Sequence, residues 1–306
     1  MRCRAAGSAT SWVGIARLTF LVRLTVGARP IAPLLALLLA GSCGSPAAIH
    51  RYAGSATLVT AKVPDVADAL SASCHRTASY RLQRVSGWFG ADSVAAACAG
   101  RDSAIRSLSR ANRALAAYFA ALEALSDSKV AKLDTHVDDL ADETRDAAGF
   151  DKQQVAAVAA LSRFAVTRAA AGYQRARLRD AIAAQNENVQ LVTAAMHQML
   201  ERDFAQYLAN DGQAQAMFYR AALTESSARE PLTAILVRDS FDERETELAE
   251  RSRAVRALGQ AMLTVGRGHQ ALYDARDHLG GKALLAAIVA NARELDTAMK
   301  RVEKAF

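Results

Sequence analysis

Proline placement limits this chain more than any other feature. The five prolines are Pro30, Pro33, Pro46, Pro64 and Pro231, so residues 65–230 and 232–306 contain none. A proline inside a helix removes a backbone donor and clashes with the preceding turn. Both stretches are therefore open to long helices. Alanine points the same way: 69 of the 306 residues are Ala, the strongest helix former. β-Branched residues are dense only in Ala56–Val63, a stretch too short to make a sheet. The expected fold class is all-α.

Hydrophobic spacing says how the helices associate. Ile105, Leu108, Asn112, Leu115, Phe119 and Leu122 recur at three-four spacing, a heptad seam with one polar position. Leu133, Val137 and Leu140 resume it after Ser126-Asp127-Ser128, where a kink is expected. Leu178, Ile182, Gln185, Val189, Val192, Met196 and Met199 form a second seam. Leu285, Ile288, Ala292, Leu295, Met299, Val302 and Phe306 form a third. Helices of this kind bury a stripe only against each other. Residues 64–306 are expected to form one elongated antiparallel bundle, a coiled-coil-like rod, with no second domain.

Local signals place the boundaries. Pro64-Asp65 opens a helix to near Tyr80, and Gly87-Trp88-Phe89-Gly90 is a turn. Asp92-Ser93 reads as the N-cap of a helix reaching Ala147, with Ala148-Gly149 as its end and Asp151 as the cap of the next. Asn210-Asp211-Gly212 reads as a stop. Yet Phe204, Tyr207, Ala214, Phe218 and Ala221 keep one helical phase across it, so a single helix to about Ala228 competes. Pro231 suits the first position of a helix running to Leu279, and Gly280-Gly281 is a turn. A hairpin centred on Gly149 would bring Asp134 and Asp138, the first two rungs of the ladder Asp134, Asp138, Asp142, level with the basic stretch holding Arg163 and Arg168.

The N-terminal region carries an address. The apolar run Ile31–Gly41 has 11 residues, against ~20 for a membrane-spanning helix. Arg17, Arg23 and Arg29 precede it, and no acidic residue occurs before Asp65. This is the pattern of a signal peptide. Leu39-Ala40-Gly41-Ser42-Cys43 resembles the lipobox of bacterial lipoproteins. That resemblance implies residues 1–42 as a cleaved signal peptide, a diacylglycerol thioether on Cys43 and a membrane anchor through that lipid. Gly44, in place of Asp, implies sorting to the outer membrane facing the periplasm. Residues 43–63, with Gly, Ser, Pro and Thr, are expected to be the lipid anchor and a flexible tether. The alternative is an ordinary secretory signal cut within Ser45-Pro46-Ala47, which discards Cys43. If Val22 were the initiator, the leader would shorten to 21 residues.

The leader also accounts for the charge. The chain is +7, but residues 1–43 hold five Arg and no acid, which leaves 33 basic against 31 acidic residues. A basic footprint for nucleic acid is not expected. With Cys3 in the leader and Cys43 lipidated, Cys74 and Cys98 remain, and an oxidising compartment makes them a disulfide.

No constellation for catalysis stands out. Ser126-Asp127-Ser128-Lys129 has S-x-x-K spacing, but neither Ser-Asp-Asn nor Lys-Thr-Gly follows. Met196-His197-Gln198-Met199 offers soft ligands, yet both methionines are seam positions. The ladder Asp134, Asp138, Asp142 has no EF-hand loop. His269 and His278 fall on opposite sides of one helix, with Asp274 between. Gly259, Gly266 and Gly268 suggest a close helix approach. No cofactor and no enzymatic activity are expected. The functional expectation is a lipid-anchored helical scaffold, adaptor or binding protein in an envelope assembly, with an unidentified protein partner. The alternatives are a membrane-active helical protein, whose candidate segment is Ala283–Ala290, and a secreted helical binding protein.

Overall fold

The computed structural model describes residues 47–86, 90–126, 149–168, 175–226 and 229–306. Among them it is all-helical, with no strand. The helices are α1 (Ala47–Thr60), α2 (Val63–Ser86), α3 (Ala91–Ser126), α4 (Lys152–Arg168), α5 (Arg175–Gln198), α6 (Ala205–Ser226), α7 (Pro231–Asp274) and α8 (Lys282–Ala305). A π-helical turn, Met199–Phe204, joins α5 to α6, and a short 3-10 turn follows α7 at Arg276–His278.

The first helix corrects the tether expected over residues 43–63. Ile49, Tyr52, Ala53, Ala56 and Val59 are all fully buried in the main core. They recur at three- and four-residue spacing, which is a helix face. Gly54, Ser55 and Thr57 hid that period, because they occupy the other positions. Thr57 Oγ1 donates to Ala53 O and Ser55 Oγ to Arg51 O, so these side chains join the helix they were read as breaking.

Pro64 sets the joint between α1 and α2. An α-helix would bond the Thr60 carbonyl to the N–H of residue 64, which proline lacks. Asn112, the polar position of the first seam, supplies the missing donor: its Nδ2 reaches Thr60 O at 3.0 Å. From there α1 and α2 run antiparallel to α3, fixed by Ser71–Asp102 and by the bonded pair Cys74–Cys98, with Cα atoms 6.0 Å apart. α2 continues to Ser86, past the expected end near Tyr80. α3 opens at Ala91, so Asp92 lies in its first turn and is not its cap.

The other long pairing is α5 and α6 against α7. Asn186 meets Gln270, Gln190 meets Gly266 and His197 meets Gly259; further along, Tyr219 packs on Phe241. α8 folds back on α7 through Arg267–Glu294 and Lys304–Glu250. Asp151 caps α4 as expected: Gln154 N donates to Asp151 Oδ1, and Asp151 N to Gln154 Oε1. Gly149, with a positive φ of 90°, turns the chain into α4 beside Met199. Phe164, near the far end of α4, packs on Tyr118, at the level of His269 and Asn186. α4 is thus antiparallel to α5 and runs alongside α3 in the same direction. α3 is described to Ser126, and the stretch up to Ala147 that was expected to pair antiparallel with α4 lies outside the described residues. Asp134, Asp138 and Asp142 lie outside the described residues.

The seams hold with small shifts. Ile105, Leu108, Asn112, Leu115, Phe119 and Leu122 are buried, as are Leu178, Ile182, Val189, Val192, Met196 and Met199. In α8, Ile288, Leu295, Met299 and Val302 are buried, but Leu284 replaces Leu285 in the core, and Phe306 is exposed. The apolar segment Ala283–Ala290 thus opens α8 with Leu284 and Ile288 in the core and Leu285 exposed. No described helix is long and apolar enough to cross a membrane.

Candidate functional site

Two polar layers interrupt the apolar core, and both tie distant helices together. The first is centred on His269 of α7, which is fully buried. Its Nε2 lies 2.6 Å from the Tyr118 hydroxyl and its Nδ1 2.8 Å from Asn186 Oδ1. Burial depresses its pKa to about 3, so the ring is neutral and carries one N–H. Asn186 Nδ2 donates to Gln270 Oε1, which leaves Oδ1 facing the ring as an acceptor. The proton therefore sits on Nδ1, and Tyr118 donates to Nε2. Gln270 Nε2 passes the chain on to Asp274 Oδ1 at the surface. Burial also raises the pKa of Tyr118 and Tyr52, so both phenols stay protonated. Tyr52 donates to the Val265 carbonyl at 2.9 Å.

Close approach makes this layer possible. A Cβ on Gly268 would lie 2.6 Å from Tyr52 Cε2, and one on Gly266 2.8 Å from Thr193 Oγ1. The glycines of α7 are thus packing positions, where α1 and α5 press on its backbone.

The second layer is the Asp211 site. Asp211 is 1% exposed and accepts from Arg101 Nη1 at 2.6 Å, Arg101 Nη2 at 3.0 Å and Ser73 Oγ at 2.7 Å. The Arg101 guanidinium stacks on Tyr207 at 4.6 Å. A two-toothed Arg–carboxylate pair with a third donor is a strong arrangement. It explains why Asn210-Asp211-Gly212 does not stop the helix. Asp211 spends its acceptors on α2 and α3 and does not compete for its own backbone.

The residues flagged in the sequence fall as follows. Cys74 and Cys98 are bonded, in a small apolar cluster with Ala78 and Val94. Cys43 lies outside the described residues. Met196 and Met199 are core, while His197 pairs with Glu201 at 2.9 Å and the Gly259 carbonyl at 3.1 Å. Ser126 Oγ donates to Glu123 O, and Lys129 lies outside the described residues. His269 and His278 do not meet, since His278 ends the 3-10 turn at the surface. Among the described residues no group of three or more His, Cys, Asp or Glu could hold a metal. Sequence reasoning missed Tyr52, Tyr118 and Asn186. The signal available was an aromatic on an apolar face, which does not announce its hydrogen-bond partner.

Both layers are closed and nearly saturated with protein partners, so they specify packing. The open features lie elsewhere. Leu232, Ile235 and Leu236 are 78%, 56% and 67% exposed on the first turns of α7. Their spacing of three and four puts them on one face. Comparison with known proteins gives no match to any family model, to any curated protein or to any solved structure.

Proposed function

We propose that this chain is a lipid-anchored helical adaptor of the bacterial envelope, held through Cys43 in the outer membrane and facing the periplasm, that binds a partner protein without catalysis. The exposed apolar face of Leu232, Ile235 and Leu236 carries the binding part of this reading. Contiguous exposed apolar surface of this kind marks interaction sites. The Cys74–Cys98 bond supports an oxidising compartment, and the lipobox-like Leu39–Cys43 supports the anchor. The 44 residues of α7, ~66 Å long at ~1.5 Å per residue, support a body drawn out into an antiparallel rod. α1 begins at Ala47, so an anchor on Cys43 would hold the body close to the bilayer.

Two experiments test it. Cys43→Ser should abolish fatty-acid labelling and release the protein from membranes; retained labelling refutes the anchor. A photo-crosslinking residue at Leu236 in intact cells should trap a discrete protein adduct, and the same residue at exposed Arg202 should not. Equal capture at both positions refutes a specific face.

A further inference from the structure

Three arginines crowd one carboxylate between α2 and α7. Glu247 takes Arg244 Nη1 at 2.6 Å, Arg251 Nη2 at 2.5 Å and Arg76 Nη1 at 3.7 Å. The cluster therefore carries two positive charges in excess. It is also recessed, with the Arg251, Arg76 and Glu247 side chains 18%, 24% and 24% exposed. Among the described residues Arg251 Nε and Nη1 have no hydrogen-bond acceptor, and Arg76 Nη1 has only the Glu247 carboxylate, beyond hydrogen-bond distance at 3.7 Å, although all three atoms expose almost no surface. Native proteins rarely leave buried donors unpaired, and a site that does so calls for an explanation.

Electrostatics agrees with the count. Burial lowers the Arg251 pKa; Glu247 opposes this, and Arg76 and Arg244 add to it. Burial alone would raise the Glu247 pKa, but the hydrogen bond from Arg244 and the charges of Arg251 and Arg76 outweigh it and hold it low. One carboxylate does not neutralise this cluster. An aromatic wall adjoins it: Tyr80 stacks on Phe218 at 4.4 Å and meets Tyr219 edge-on. The centre of the Phe306 ring lies 6.0 Å from the Arg251 guanidinium carbon.

We propose that Arg76, Arg244 and Arg251 form a binding site for a phosphoryl dianion. Two negative charges match the excess, and guanidinium forks fit phosphate oxygens in pairs. Arg76 and Arg251 hold the unpaired donors, and Arg244 adds a third guanidinium beside them, while Glu247 cancels one of the three charges. A carboxylate ligand would bring one charge and repeat what Glu247 already supplies. The site is independent of the proposed anchor and of the apolar face on α7, so it stands or falls without them.

The test is calorimetric titration of the full chain with inorganic phosphate, at constant ionic strength so that general screening cancels. Saturable binding with a dissociation constant below about 1 mM is expected, weakened tenfold or more by Arg251→Gln or Arg76→Gln in protein of unchanged helical content. Glu247→Gln raises the excess charge and should tighten binding several-fold. It remains decisive if the arginine variants fail to fold. Glycerol phosphate as a second titrant separates the sources. Competition with phosphate indicates that the site accepts a monoester, as in a headgroup, and no competition indicates the free anion. Absence of saturable phosphate binding, binding undiminished in the arginine variants, or binding not tightened by Glu247→Gln overturns the proposal.

Discussion

His269 shows how a single residue couples the core to pH. Its folded-state pKa of about 3 lies below the ~6.5 of an exposed histidine. The unfolded chain therefore takes up a proton that the folded chain refuses. Stability should be full above about pH 6.5 and fall by ~1.4 kcal/mol per pH unit below it. Urea midpoints at pH 7.5, 6 and 5 should show this slope, and His269→Gln should flatten it while lowering stability at neutral pH. Asp211 is the counterpart among charged residues. Asp211→Ala leaves Arg101 buried without its partner and should cost about 3–5 kcal/mol. Adding Arg101→Met should recover much of that loss in the same denaturation assay. Gly268 and Gly100 make a third contrast. An Ala at Gly268 meets the Tyr52 ring and should destabilise by about 1–3 kcal/mol. An Ala at Gly100, where nothing lies within 4 Å, should stabilise by about 0.5–1 kcal/mol.

At the scale of elements, what was legible was whatever repeats. The seams of α3, α5 and α8 could be read because burial recurs every three or four residues. Asn112 was visible as the polar seam position, though not its duty to the Thr60 carbonyl. Features that depend on a distant partner stayed hidden. Asn210-Asp211-Gly212 left a stop and a continuous helix to about Ala228 in competition, and placing Arg101 and Ser73 against Asp211 decides for the helix. α1 was missed because its small polar residues masked the spacing of Ile49, Tyr52, Ala56 and Val59. The π-helical turn Met199–Phe204 was invisible for another reason. It accommodates one extra residue and so resets the phase between the α5 seam and the α6 face, where a periodic reading sees only imperfect continuation. α1 itself should be indispensable. A chain begun after Thr60 would uncover the Val265 carbonyl and the Tyr118–His269 layer, and its thermal transition should broaden or vanish in calorimetry.

The whole molecule is held by contacts between parts far apart in the chain. The Cys74–Cys98 bond is the most local of these, with a separation of 24 residues. Reducing it should cost about 3 kcal/mol, measured as a lowered urea midpoint with thiol reagent present, and should leave the helical content nearly unchanged. Other ties are much longer: Tyr52 to Val265 spans 213 residues, and Tyr118 to His269 spans 151. This separation sets a timetable for synthesis. At a ribosomal rate of ~5–20 residues per second, Tyr52 is made roughly 10–40 s before the carbonyl it bonds to. During that interval α1 has no partner on α7 or α8, and its apolar face must be kept from competing contacts. The core can close only when the last quarter of the chain has arrived. The nascent protein thus spends most of its synthesis without a complete interior.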